Sequence, residues 1–250
     1  MSHSSERNVF ISDVSSFWPF AAGAFMAPTD ATLRHARFNL DAFQRDEFSR
    51  HAINYPLRLE RAVAKRQAEY LAGRVCARNA LKEYGCHAHD LITLPDRRPA
   101  WPDSTVGAIT HSRDFAAALV ADASHWAGVG IDAEHYLDVE RAVRLKGEIL
   151  TDNELAMSAA FSPQQLARFV TLVFSAKESL YKALYPLVGR SFYFHDAQLS
   201  AWDESRRSIE FELLTTLSPR WCFGARAKGL YAELEGQLLS LIAIPYVAEH

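Results

Sequence analysis

Gly128-Val129-Gly130-Ile131-Asp132-Ala133-Glu134 and Phe174-Ser175-Ala176-Lys177-Glu178-Ser179-Leu180-Tyr181-Lys182 are the two stretches that decide how this 250-residue chain is read. The first begins with small and branched apolar residues and then turns acidic, the pattern of a buried strand that ends at a rim. Side chains alternate along a strand, so Asp132 and Glu134 project from the same side. The second stretch reads as helix, which puts Glu178 and Lys182 on one face, four residues apart. Three carboxylates and an ammonium, none of them needed for a core, are what a divalent cation and a phosphate require. Hard cations take oxygen ligands and commonly hold substrate phosphates as well. The pattern points to metal-assisted phosphoryl chemistry. Simpler accounts stand beside it: carboxylates are common at exposed strand ends, and Glu followed by Lys at i+4 is a favourable helix-surface pair.

Outward from these stretches, residues 1–56 show no clear periodicity. The apolar segment 17–26, interrupted by Pro19, reads as a surface-packed N-terminal arm, because it lacks the basic start of a signal peptide. A long helix is expected from 57 to about 84, stopped by Gly85. Arg58, Arg61 and Lys65 then form a cationic stripe, with Arg74 opposite as a structural residue. Residues 95–102 form a Pro- and Arg-rich loop, and 116–121 with 127–134 read as a hairpin about Asp122-Ala123-Ser124. Thr151-Asp152-Asn153-Glu154 has capping-box form and opens a short helix. Ser162-Pro163-Gln164-Gln165 opens another, expected to stop before Pro186. Beyond Gly189, segments 208–214, 221–227, 230–234 and 238–244 read as short strands. A long helix beside short strands in each part suggests an α+β duplication, with an N-terminal half over 1–124 and a C-terminal half over 125–250.

Hydrophobic content of 49% and charged content of 23% are ordinary for a globular protein. A net charge of -3 advertises neither nucleic acid nor an anionic membrane as a partner. No apolar run is long enough to span a bilayer. Cys76, Cys86 and Cys222 have neither metal-ligand nor disulfide spacing, so a reduced, cytoplasmic protein is expected. The Walker-type, dinucleotide and nucleophile-elbow glycine motifs are absent.

The Gly-Ile-Asp-x-Glu and Phe-Ser-x-Lys-Glu-Ser-x-x-Lys segments, in this order, resemble those of the 4'-phosphopantetheinyl transferases, most of all the larger surfactin-activating and enterobactin-component-D types. Arg98-Pro99-Ala100-Trp101-Pro102 and Thr110-His111-Ser112 are similar to that family's Pro-x-x-Pro and Ser-His-Ser, with Thr110 replacing the usual Ser. Arg66-Gln67-Ala68-Glu69-Tyr70-Leu71-Ala72-Gly73-Arg74 resembles its Arg-x-x-Glu-[Phe/Tyr]-Leu-Ala-Gly-Arg helix. The resemblance implies two similar α+β halves in a pseudo-twofold arrangement, with coenzyme A and the active site between them. It implies Mg2+ on Asp132, Glu134 and Glu178, with Glu178 also the base and Lys182 neutralising phosphate charge. Coenzyme A would be held by Arg61, Arg66, Arg97, Arg98, Thr110, His111, Asp132 and Lys182, with Thr110-His111-Ser112 as a phosphate-binding turn. The implied reaction moves phosphopantetheine from coenzyme A to a serine of acyl, peptidyl or aryl carrier domains, in fatty-acid or siderophore biosynthesis. A monomer is expected, since one pseudodimeric chain supplies both halves of the site. The rivals are a metal-dependent phosphohydrolase and a noncatalytic carrier-binding module.

Overall fold

Two runs of strand-forming residues, each interrupted by one long helix, build two antiparallel sheets. The computed structural model describes residues 9–20, 28, 30–86 and 91–248. The first sheet holds β1 (Ser15–Ser16), β2 (Thr32–Arg37), β3 (Thr105–Ser112) and β4 (Phe115–Asp122), in the order β1-β2-β4-β3. Helices α1 (Glu47–Arg50) and α2 (Ala64–Glu83) lie between β2 and β3 in sequence. The second sheet holds β5 (Trp126–Glu134), β6 (Ala197–Asp203), β7 (Ser208–Leu213), β8 (Arg226–Leu234) and β9 (Gln237–Pro245), in the order β5-β9-β8-β7-β6. Between β5 and β6 come α3 (Val139–Ile149), α4 (Asp152–Met157) and α5 (Pro163–Val188). In each half the first long strand pairs with the last, β2 with β4 and β5 with β9. The orders β2-β4-β3 and β5-β9-β8 therefore correspond, which is the α+β duplication the sequence suggests, with β7 and β6 added to the second sheet.

Alternation explains how the layers stack. Phe115, Ala117, Leu119 and Ala121 share one core with Val129, Ile131 and Ala133 of β5 and Leu239, Leu241 and Ala243 of β9. The opposite face of β4, through Ala116 and Ala118, packs with Leu71, Ala72 and Val75 of α2. Leu238, Ile242 and Ile244 face the other way, into a core with Val173, Leu180 and Leu184 of α5. The order is helix, sheet, sheet, helix, and both faces of both central strands are dry. Small residues set the depth of α5. A Cβ on Gly130 would stand 1.9 Å from the Ser179 carbonyl oxygen, so only glycine lets the helix lie this close to β5. The hydroxyls of Ser175 and Ser179 each lie 2.8 Å from that of Ser240, satisfying the polar groups this approach buries.

Both expected helix starts are present: Thr151 and Ser162 cap α4 and α5 in full capping boxes. Other expectations need correction. Residues 116–121 and 127–134 do not form a hairpin; β4 pairs with β3, while Asp122–His125 carries the chain across to the second sheet. The helix expected from 57 begins only at Ala64, after a 3₁₀ turn over Leu57–Leu59, so Arg58 and Arg61 are outside it. Helix α5 runs past Pro186 to Val188, because a proline in the last turn forfeits one hydrogen bond before Gly189 closes the helix at φ 63°. β8 runs unbroken from Arg226 to Leu234, joining the end of segment 221–227 to segment 230–234 through Gly229, where a Cβ would stand 2.5 Å from Leu241 O. Segment 221–227 is mostly turn, and β1, β2, β3, β6, α1 and α3 have no counterpart in the sequence reading. Of segment 17–26, residues 21–26 lie outside the described residues; Phe20 is buried beside the inter-sheet core instead of lying on the surface. No described helix is long and apolar enough to cross a membrane.

Candidate active site

The edges β3 and β5 meet where the two sheets stack, and there the first functional contacts form. Thr110 on β3 donates its hydroxyl to Asp132 Oδ1 at 3.1 Å and accepts the Ala133 amide at 3.0 Å. Lys182, on the face of α5 toward β5, donates to the same Asp132 oxygen at 2.7 Å and to the Ile131 carbonyl at 3.0 Å. Asp132 is thus buried, 5% exposed, and not at an open rim. Its Oδ2 is also buried, with no hydrogen-bond partner among the described residues. An orphaned carboxylate oxygen of this kind needs an explanation.

Glu134 and Glu178 are half-buried near Asp132. Burial, then the charges of Asp132 and Glu178, push the Glu134 carboxyl up to about 7, against the relief Lys182 gives. Burial also pushes Glu178 up, with Asp132 adding repulsion and Lys182 opposing it. Three mutually repelling carboxylates with one orphaned oxygen suit a hard divalent cation, which takes oxygen donors only. The three are not closed into a coordination shell: among the described residues no group of three His, Cys, Asp or Glu is poised around a metal position. The Lys182 ammonium serves as counter-charge to Asp132 in this arrangement. The helix-surface pair of Glu178 with Lys182 is replaced by this bond across to β5.

A cleft of about 500 Å³ opens beside Lys182. Its walls come from both halves: α2, the 96–101 loop and β3 on one side, and Tyr181, Lys182, Tyr185 and Pro186 of α5 on the other. Arg58, Arg66, Arg74, Arg97, Arg98 and Lys182 line it against only Glu69 and Asp96, so it is a site for a multiply charged anion. Arg97 occupies the left-handed region at φ 74°, at a cost of roughly 1 kcal/mol for an L residue, and both it and Arg98 line the cleft. Arg98 is paired with Asp96 at 2.7 Å and stacks over the Tyr185 ring at 5.3 Å.

His111 reaches the cleft from β3. The Arg66 guanidinium lies 2.8 Å from its Nε2, and Glu69 lies 3.7 Å from Nδ1. Arginine can only donate, so Nε2 accepts and the ring proton sits on Nδ1, toward Glu69. Burial holds this imidazole below its ordinary pKa, opposed by Glu69 and reinforced by Arg66.

The structure gathers Asp132, Thr110 and Lys182 by direct bonds, and Arg66, Arg97, Arg98 and His111 in the adjoining cleft. It leaves Arg61 exposed in the turn before α2, outside the cleft lining. Thr110-His111-Ser112 is strand, not turn, so Thr110 and Ser112 point inward and only His111 faces the cleft. Lys177 points away: buried, it donates to Glu154 at 2.7 Å and to the Ile149 carbonyl at 2.9 Å. Arg74, read as structural, is a cleft residue that donates to Thr93 at 2.8 Å and lies over Tyr70. The signal was present in the i, i+4, i+8 spacing of Arg66, Tyr70 and Arg74, which drifts only ~40° per step on a helix. It was hidden by extending the helical register back through Arg58 and Arg61.

Comparison with known proteins gives matches along most of the chain. The 4'-phosphopantetheinyl transferase N-terminal domain pattern matches residues 55–121, and that of the 4'-phosphopantetheinyl transferase superfamily matches residues 128–235. The 4'-phosphopantetheinyl transferase Svp of Streptomyces mobaraensis is 38% identical over 191 residues, 74% of each chain. The 4'-phosphopantetheinyl transferase PptT of Mycobacterium tuberculosis is 34% identical over 180 residues, 65% of this chain and 77% of that one. Enterobactin synthase component D of Salmonella typhi is 40% identical over 127 residues, 50% of this chain and 51% of its own.

Proposed function

This chain belongs to the 4'-phosphopantetheinyl transferase superfamily, and from that premise we propose how its cleft works. It moves the 4'-phosphopantetheine arm of coenzyme A to a serine of a carrier protein, forming the holo carrier and adenosine 3',5'-bisphosphate. The carrying observation is the position of Lys182, which lines the cationic cleft and bonds Asp132 at its end. An anionic substrate bound among Arg66, Arg97, Arg98 and His111 meets the carboxylates there. Arg58 and Arg74, in the same lining, extend the anion-binding wall.

Asp132, Glu134 and Glu178 would hold Mg2+, supported by the orphaned Asp132 oxygen and by the mutual repulsion of the three. When bound, the ion neutralises the diphosphate and aids in-line displacement. The carrier hydroxyl attacks the β-phosphorus; its oxygen–phosphorus bond forms as the bond to the adenosine bisphosphate oxygen breaks. Glu178 takes the hydroxyl proton, directly or through water. Lys182 stabilises charge on the phosphoryl oxygens as they develop it. Acyl and peptidyl or aryl carrier domains are the acceptors, and a monomer in a reducing cytoplasm is the working form; free Cys76, Cys86 and Cys222 suit that compartment. The matches give the phosphohydrolase alternative no support. Incubation with an apo carrier domain, coenzyme A and Mg2+ should add one phosphopantetheine mass to the carrier; an unmodified carrier with intact coenzyme A overturns the assignment.

A further inference from the structure

β3 carries a second inward hydroxyl two residues beyond Thr110. Ser112 donates to the side-chain oxygen of Gln237 at 2.6 Å. Gln237 is fully buried, and its amide nitrogen lies 2.8 Å from His135 Nε2. His135 directly follows Glu134. The ladder between β5 and β9 ends on the pair Glu134 and Leu238, so Gln237 and His135 are the first residues beyond the last rung. Without a further tie, that strand end would fray, and Glu134 would lose a defined direction.

Contacts between the halves continue beside it. Asp114, in the β3–β4 turn, accepts from Arg37 at 2.7 Å, while its other oxygen lies 3.4 Å from His135 Nε2 without a hydrogen bond. Arg37 in turn donates to Glu235 at 2.9 Å, in the β8–β9 turn two residues before Gln237. Both halves contribute to these contacts. Of the two inward hydroxyls of β3, Thr110 thus bonds the Asp132 carboxylate itself, and Ser112 reaches His135, the residue after Glu134, through Gln237.

We propose that Ser112 and Gln237 are positioning residues that fix Glu134 as a metal ligand by bracing the end of β5 through His135. This rests on the reading of Asp132, Glu134 and Glu178 as the metal-holding set. A buried Gln among Leu238 and Leu239 is costly to desolvate, and replacing both partners of such a bond by apolar groups is close to neutral for stability. The brace is therefore separable from the fold.

The test is Mn2+ binding to the full chain with coenzyme A present, followed by electron paramagnetic resonance, for the wild type and the double variant Ser112→Ala/Gln237→Leu. The double variant should melt near the wild-type temperature yet bind Mn2+ roughly 10- to 100-fold more weakly, the range seen when groups supporting metal ligands are removed. The metal concentration giving half-maximal turnover should rise with it, more than the Michaelis constant for coenzyme A. Ser112→Thr keeps the hydroxyl and should bind Mn2+ as the wild type does. If the double variant fails to fold by circular dichroism, Ser112→Ala decides on the same measurement. Equal Mn2+ affinity in wild type and variant overturns the brace alone. Absence of Mn2+ binding in the wild type overturns the metal set and the brace together.

Discussion

Glu178 and Lys182 share a helix face but spend their charge differently, and this separates their expected phenotypes. Glu178→Gln preserves size and removes the negative charge, so turnover should fall at least about 10²-fold, the typical cost of losing a general base. Coenzyme A binding, measured by calorimetry, should survive; retained turnover would remove Glu178 from the base role. Asp132 is a harder case than its strand-end position suggests. It is buried and bonded to Thr110 and Lys182, so Asp132→Ala strands both partners as well as deleting a ligand. Turnover should vanish, and urea denaturation should show a loss of about 1–3 kcal/mol. Wild-type stability with no activity would put the residue back at an open rim. Arg98→Ala, removing a cleft guanidinium paired with Asp96, should raise the Michaelis constant for coenzyme A more than that for the carrier. An equal rise for both substrates would move Arg98 out of the coenzyme A wall.

At the scale of elements, α5 carries the site and is anchored by Lys177. This buried ammonium reaches Glu154, whose other contacts are the amides of Thr151 and Leu199, so a single carboxylate joins α4, α5 and β6. Lys177→Met would leave that carboxylate charged and buried, and removing one partner of such a pair costs about 3–5 kcal/mol. Adding Glu154→Leu should recover little in urea titrations, because two backbone amides then lose their acceptor; full recovery would show the ion pair alone matters. α5 was legible because its start carries a capping box and its pattern is helical throughout. Its partners were less so. β5 was read as a strand, but its neighbour β9 lies far along the chain, and local alternation carries no information about which strand pairs with which. The acids were found because their spacing is local. The cleft arginines were found only in part, because the face Arg74 occupies depends on where α2 begins, and Val63 offers no capping side chain to mark it.

The two halves share one core, in which Val129, Ile131 and Ala133 of the second bury against Phe115, Ala117 and Leu119 of the first. Polar ties at the edge of this interface make its stability depend on pH. His35 on β2 is buried, its ring stacked on Phe115, with Glu235 of the second half 3.6 Å away. Burial holds its pKa below the ordinary 6.5, with Arg37 and Arg34 acting in the same sense and Glu235 opposing them. Between the depressed folded value and 6.5 the unfolded chain therefore binds a proton that the folded chain refuses. Stability rises with pH across that window and is lost as the medium is acidified through it. His51 and His111 are depressed in the same direction, so the wild-type midpoint alone would not isolate His35. His35→Phe replaces the titrating ring with one that still stacks on Phe115. Thermal midpoints should therefore drop less for His35→Phe than for the wild type between about pH 7 and about pH 5, a window set by the ordinary histidine pKa. Parallel curves for the two proteins would mean that His35 takes up its proton in the folded state as readily as in the unfolded chain.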